Sequence, residues 1–455
     1  MTHIAFVKKA IFALAALYLC SVFASSMFVS QVAAQEAVSC SAEYEVMMRL
    51  RSPSSGSYSV WDGTYGNDVN DEGFIGGELL SNGHVIVAGQ KPAGADGVDH
   101  LVLLEMDRRG RTVWQKAHDI KGLQSVRHMM RLGTNFVVSG DIRTSKSLEQ
   151  VWLGFFNAKG ELISTRILRD PRLNLAGDAI ALAPRKNTFY MAVAKTDRKG
   201  GETYSLLYHL DSKGRTLSTR SYRLGASSRV LGLHKTDDDE LIAVGWIEAS
   251  NGREQGWVLQ MDQELKLIWQ QTVSRGGKAH LRDAVMGADG HVIVIGDVVS
   301  VDGGQQAAFV FKMNGRSGQI SWQRYYKDDH KVSARQIVAH SQNKAGHSYS
   351  LLIDTVGKET LEMDEFARVL QINERGVILD AKNLFFGRGV HAMSIFSGYN
   401  DERVVVGAAD VEKVDNQAAG EEPVMMRSRD GVVIAVPAPS FYADPCVQPS
   451  SANRF

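Results

Sequence analysis

Six side chains that carry charge or exchange protons fall at one recurring place in this chain. They are Arg127, Asp178, Arg229, Asp283, Arg335 and His391, and they open the short segments RHMM, DAIA, RVLG, DAVM, RQIV and HAMS. Three arginines in such a set could hold a carboxylate or phosphate, because a guanidinium offers paired N–H donors that match an oxyanion. His391 would be the group among them that titrates near neutral pH and so could act as acid or base. The alternation of Arg with Asp equally suits a ring of ion pairs, in which each charge spares its neighbour the cost of lone burial. The sequence leaves both uses open.

Other candidates are poorer. Asp237-Asp238-Asp239-Glu240 is acidic enough for calcium, but the run falls at a hairpin turn, where acids are commonly just solvated. Asp68 to Gly73 opens like a calcium-binding loop, yet its twelfth position is Leu79, which has no ligand atom. His128, His209 and His234 lie in different repeats, without ligand spacing. There is no H-E-x-x-H, G-x-S-x-G or Walker-type loop. No metal, no cofactor and no catalytic residue are therefore expected.

The elements that must position the ring are repeats. An apolar run ending in a small residue recurs as HVIVAG at Gly89, NFVVSG at Gly140, FYMAVA at Ala194, LIAVG at Gly245 and HVIVIG at Gly296; YSLLID at Asp354 and RVVVG at Gly407 complete the series. The spacing averages about 53 residues. Each unit also has a second half, two short apolar runs around a turn of Asp or Asn, Lys or Arg, and Gly. Gly110, Gly160, Gly214, Gly318 and Gly376 sit where such a hairpin needs positive φ; Leu265 breaks the pattern and predicts a different turn there. With short strands and no amphipathic helix between them, each unit supplies four antiparallel strands, the pattern of a β-propeller blade.

Seven such first halves predict an all-β, seven-bladed β-propeller; two packed sandwiches are the alternative, but the period never resets. Residues 44–61 and 424–436 look like second halves, so one terminal hairpin is surplus or completes the closing blade.

Asn314 to Trp322 has an amide, then Ser317-Gly318, then Trp at the spacing of a tryptophan-docking motif. Asp107 to Trp114 is one residue shorter, and Asp262 with Trp269 lacks the Gly. On these motifs the chain resembles the secreted bacterial PQQ-like (quinoprotein-type) propeller repeats, a class with both cofactor-bearing dehydrogenases and non-enzymatic envelope scaffolds. The resemblance implies that each Trp packs between neighbouring blades. The vicinal Cys-Cys pair of the dehydrogenases is absent, as is C-x-x-C-H for haem, which speaks against quinone or haem chemistry.

Residues 1–34 read as an export signal: Lys8 and Lys9 precede an apolar run from Ile11 to Val29, and Val32-Ala33-Ala34 places small residues for cleavage before Gln35. An uncleaved anchor is the alternative, since a run of roughly 19 residues nearly spans a bilayer. Lipid on Cys20 is disfavoured by Leu17-Tyr18-Leu19 before it. Residues 35–455 then form a single propeller domain with no further membrane span. Its remaining cysteines, Cys40 and Cys446, suit one disulfide that clasps the ends in an oxidising compartment. Closing a loop of about 400 residues would be worth roughly 5 kcal/mol on chain entropy.

The 455 residues carry 51 Lys+Arg against 51 Asp+Glu, a balance without the basic footprint of a nucleic-acid partner. The expectation is a periplasmic or secreted, non-enzymatic scaffold that presents loops such as 90–100 and 413–422 to a protein or polysaccharide partner. The alternative is an enzyme or small-ligand binder working on an anionic ligand at the channel mouth.

Overall fold

The computed structural model describes residues 45–49, 59–65, 73–91, 100–144, 148–182, 187–196, 201–236, 238–287, 289–301, 303–328, 331–340, 347–356, 366–384, 389–415 and 424–437. All of them belong to one unit, Glu43–Tyr442. The export signal with Cys20 and Gln35, the Cys40–Cys446 pair, the calcium-like stretch from Asp68 to Glu72 and most of both named loops lie outside the described residues.

Strands β1 (Glu45–Arg49) and β2 (Trp61–Tyr65) come first. A four-strand antiparallel meander then repeats along the chain. It runs through β3 (Gly73–Leu79), β4 (Val85–Lys91), β5 (His100–Met106) and β6 (Thr112–Asp119), then β7 (Leu123–Leu132), β8 (Asn135–Arg143), β9 (Glu149–Phe156) and β10 (Leu162–Leu168). Next are β11 (Asn174–Leu182), β12 (Thr188–Thr196), β13 (Thr203–Asp211) and β14 (Thr216–Tyr222), then β15 (Ser227–Lys235), β16 (Leu241–Glu248), β17 (Glu254–Met261) and β18 (Leu267–Val273). The series goes on with β19 (Lys278–Met286), β20 (His291–Val299), β21 (Gln306–Asn314) and β22 (Ile320–Lys327), followed by β23 (Lys331–Ala339), β24 (Ser348–Val356), β25 (Phe366–Asn373) and β26 (Ile378–Leu384). The last run is β27 (Gly389–Ser397), β28 (Arg403–Asp415) and β29 (Val424–Val436).

The sheets depart from the expected seven separate blades. Five stand alone as four-stranded blades, and the sixth sheet has nine strands. In it the runs β15–β18 and β19–β22 are joined by one parallel pair, Glu254 with Lys278. Their side chains meet as well, Nζ to Oε2 at 3.1 Å, so a charge contact accompanies the bridge. The terminal hairpin read at 44–61 is likewise corrected. β1 pairs parallel with β22, and β2 pairs antiparallel with β29. A strand from the chain's beginning thus completes the sheet built by its end.

Burial follows position in each meander. Most second and third strands are covered on both faces by neighbouring sheets, which is why they read as unbroken apolar runs; VIVAG in β4 and LVLLEM in β5 are wholly buried, while β13 is only partly so. Fourth strands other than β22, which β1 covers, are edges, and β6 alternates between exposed and half-buried residues. Among the described residues the apolar side chains gather into seven cores, each shared by two successive runs. The core of Phe74, Val87 and Leu104 with Val404, Val406 and Val433 joins the last run to the first. First strands β3, β7, β11, β15, β19, β23 and β27 touch one another in that order, and β27 touches β3.

In five second strands the small residue is a glycine that answers to a close approach, whereas β24 has Ile353 and Asp354 there. A Cβ on Gly245 would lie 1.9 Å from the Arg229 carbonyl oxygen on the adjacent first strand. Six hairpin turns between third and fourth strands open with Asp or Asn, whose side-chain oxygen accepts backbone N–H groups further round. Asp262 Oδ1, for example, accepts from Glu264 at 3.0 Å and Lys266 at 2.7 Å. The different turn expected at Leu265 is not found. Leu265 N–H donates to Asp262 O at 3.0 Å as Gly110 N–H does to Asp107 O, and Leu265 takes φ 63° in place of glycine. Its side chain is fully buried in the core with Tyr190 and Trp257, which offsets the strain.

The docking role that the resemblance implied for tryptophan is present. Trp61, Trp114, Trp269 and Trp322 lie against Gly110, Gly160, Gly318 and Gly376 in the next turn along. A Cβ on Gly376, which sits at φ 72°, would lie 2.8 Å from the Trp322 ring. Four residues after three of these tryptophans a second group grips the same turn. Tyr65 donates to Gly110 O at 2.7 Å, His118 to Gly160 O at 2.9 Å and Tyr326 to Gly376 O at 2.6 Å.

Candidate functional site

Every first strand carries a β-bulge at one equivalent place. The unpaired residue is Ile75, Arg127, Asp178, Leu231, Arg282, Arg335 or Met393. Bulges bend a strand and re-aim a side chain, and they recur beside binding sites. Three of the six sequence candidates, Arg127, Asp178 and Arg335, occupy the bulge itself. Arg229 and His391 lie two residues before it, and Asp283 lies one after. The six therefore do not share one level of the ring.

Their partners differ accordingly. Arg127 donates through Nε to Asp141 Oδ2 at 2.7 Å, and Arg335 through Nη2 to Asp354 Oδ2 at 2.8 Å, each within its own sheet. Arg282, which the sequence alignment passed over, does the same through Nε to Asp297 Oδ2 at 2.9 Å. The acids belong to one position, the residue after the close-approach site of the second strand, and the dipeptide Gly-Asp at 140–141 and 296–297 was the signal for it. Of the six, Asp178 and Arg229 form the ion pair expected between successive sheets: Nε to Oδ2 at 2.7 Å and Nη2 to Oδ1 at 2.5 Å, a bidentate contact.

Asp283 has a different duty. Its Oδ1 accepts the Ala284 N–H at 2.9 Å, and its Oδ2 accepts the Ile337 N–H of the next first strand at 3.1 Å. Burial pushes this carboxyl up to about 7, against the two N–H bonds that favour its ionised form. His391 lies 3.5 Å from Asp410 and 3.4 Å from Arg429, whose Nε binds Asp410 Oδ1 at 3.0 Å. Burial pushes the Asp178 and Asp354 carboxyls up, while Arg229 and Arg335 pull them down.

The other histidines also bind between or within sheets. His128 donates to Asp178 O at 2.6 Å, and burial holds it down to about 4. His209 meets Thr188 Oγ1 at 2.9 Å, and His234 accepts from Met286 N–H at 3.4 Å. Asp238 lies 3.4 Å from Arg316, and Asp239 lies 3.7 Å from Lys235. Among the described residues no three His, Cys, Asp or Glu side chains gather as metal ligands would.

One further trio has the look of a nucleophile set. His340 Nε2 lies 2.5 Å from Ser350 Oγ, and His340 Nδ1 lies 3.8 Å from Asp401 Oδ2. Arg403 decides its chemistry. The guanidinium can only donate, and its Nη2 contacts His340 Nδ1, so Nδ1 must accept and the ring proton sits on Nε2. Nε2 then donates to Ser350 and cannot take its proton, the reverse of what a serine nucleophile needs. His340 and Ser350 are also buried, and burial holds the imidazole down to about 4.

Strands, cores and the inter-sheet tryptophans define a β-propeller of four-stranded antiparallel blades. No protein-family model and no curated protein sequence matches this chain. Among solved structures it is similar to Sqt1 from Chaetomium thermophilum, with 12% identity over 84% of this chain and 100% of that one, at a TM-score of 0.44. A puromycin-hydrolyzing peptidase of Mycobacterium tuberculosis is similar at 15% identity over 82% of this chain and 57% of that one, TM-score 0.48. A glucose dehydrogenase follows at 10% identity over 83% and 99%, TM-score 0.42. Likenesses this distant bear on no activity. Among the described residues no helix is long and apolar enough to cross a membrane.

Proposed function

We propose that this chain is an exported, non-enzymatic binding module of the PQQ-like propeller class, cleaved before Gln35 and working in the periplasm or outside the cell. In this reading it presents its loops to a protein or polysaccharide partner of the envelope, and the Cys40–Cys446 disulfide clasps its ends. The two runs of the nine-stranded sheet act as neighbouring blades, which gives a ring of seven. One observation supports a scaffold over an enzyme: the Ser350–His340 pair holds its proton on the wrong nitrogen for attack.

The test is capture and crosslinking from native envelope with the mature chain, beside a variant whose 413–422 loop is replaced by a short Gly/Ser turn. A specific envelope component held by the first and lost by the second, with unchanged thermal unfolding, is the expected result. Equal capture by both, or none by either, would overturn the reading.

A further inference from the structure

Arg282 and Arg335 occupy the bulges of neighbouring first strands, β19 and β23, and one carboxylate links them. Asp297 Oδ2 holds Arg282 Nε at 2.9 Å, while its Oδ1 accepts the N–H of Ala334, the residue before Arg335, at 2.7 Å. Asp354 then holds Arg335 Nη2 at 2.8 Å. The acids are sunk and the cations are not. Asp297 and Asp354 side chains are 5% and 6% exposed, against 33% and 36% for Arg282 and Arg335.

The mode of attachment matters. Arg282 is tied through Nε, and neither of its terminal nitrogens meets a partner among the described residues. Arg335 is tied through one terminal nitrogen, and its Nε is a buried donor that meets no acceptor. The donors a ligand can reach are therefore the terminal nitrogens, both of Arg282 and the second of Arg335. Two guanidinium groups tied by buried carboxylates, each side chain about one-third exposed and keeping terminal N–H donors to spare, form a receptor whose ordering cost is met at folding.

We infer that Arg282 and Arg335 bind an oxyanion, a carboxylate or phosphate group of a small multivalent ligand, bridging two neighbouring first strands. The site is separate from the loops assigned to a partner, so the scaffold reading can fail without it. The bulge supplies the geometry: each arginine is the unpaired residue of its strand, off the regular strand alternation. Asp297 and Asp354 keep the guanidinium planes fixed and balance their charge. Affinity therefore depends on paired hydrogen bonds as well as net attraction, and it weakens with salt.

The experiment is titration calorimetry of the mature chain with citrate and, separately, inorganic pyrophosphate at low and physiological salt. Binding of at least one is expected, and comparing the two tells a carboxylate source from a phosphate source. Arg282→Gln and Arg335→Gln should each weaken it at least about fivefold, and Arg111→Gln, an exposed turn arginine, should leave it unchanged. Should a glutamine variant fail to fold, Arg282→Lys and Arg335→Lys keep the charge but lose the forked donors. They should melt near the parent temperature and still bind several-fold more weakly. No binding of either probe by the parent, or equal binding by parent and folded variants, would overturn the inference.

Discussion

Two kinds of seam join successive runs of strands, and they use different chemistry. At the rim an aromatic ring lies on a turn glycine and a hydroxyl or imidazole grips that glycine's carbonyl, as with Trp322, Tyr326 and Gly376. Near the ring of first strands, a side chain from one run accepts an N–H beside the bulge of the next. Gln90 serves Val126, Asp141 serves Gly177, Ser205 serves Val230 and Asp297 serves Ala334. The rim repeats one solution because a large flat ring and a bare Cα must fit each other. The inner seam needs only an acceptor in reach, so amide, carboxylate and hydroxyl all serve. That tolerance lets charge enter the inner seam, and it is where a ligand-binding function has room to arise.

The rim should break hardest. Trp322→Ala removes a nearly buried indole from the core it shares with Ile353, Leu370 and Ile372 and from the Gly376 turn. Large-to-small changes of this kind cost about 3–5 kcal/mol. Chemical denaturation should show a loss of that size with the slope unchanged; a loss below about 1 kcal/mol would mean that the rim is not what binds these two runs.

The inner seam should break less. Asp297→Ala strips both Arg282 Nε and Ala334 N–H of their acceptor, but the guanidinium is part-exposed and can turn to water. The expected cost is about 2–3 kcal/mol. Asp297→Asn keeps one acceptor and should recover part of it in the same denaturation series. If alanine and asparagine prove equally mild, the shared carboxylate does not organise this seam.

The same contrast governs how much could be read in advance. Rim features are local: the Asp or Asn of the turn, its glycine and the following Trp lie within nine residues, so Asn314 to Trp322 announces its structure. The inner features depend on how many residues separate a bulge from the second strand that follows it. Because the turn between first and second strands varies in length, counting back from Gly296 lands on Asp283, one past Arg282, and counting back from Gly407 lands on His391, two short of Met393. The nine-stranded sheet was illegible for a related reason. A single bridge between Glu254 and Lys278 has no local pattern, since nothing near either residue marks the other. The Arg127–Asp141 and Arg335–Asp354 pairs join strands within one repeat, whereas the alternation of Arg and Asp along the chain points to partners in the next one.

Asp283 sharpens the comparison most finely, because it joins two runs without any arginine. Its carboxyl is pushed up to about 7 by burial, whereas an unfolded aspartate titrates near 4. Between those values the folded chain holds a proton that the unfolded chain has released. Stability attributable to this group must therefore fall as pH rises through the window and level off above it. Asp283→Asn keeps one acceptor oxygen and removes the titration. Measured as the difference between parent and Asp283→Asn, contributions from Asp178, Asp354 and the histidines cancel, and the parent should lose ground on the order of 1–2 kcal/mol between pH 5 and pH 8. Partial access of the side chain to solvent keeps the figure modest. A difference constant across that range would show that the Ile337 and Ala284 N–H groups hold the carboxylate ionised throughout. The inner seam would then owe as much to backbone donors as the Asp141 and Asp297 contacts owe to arginine.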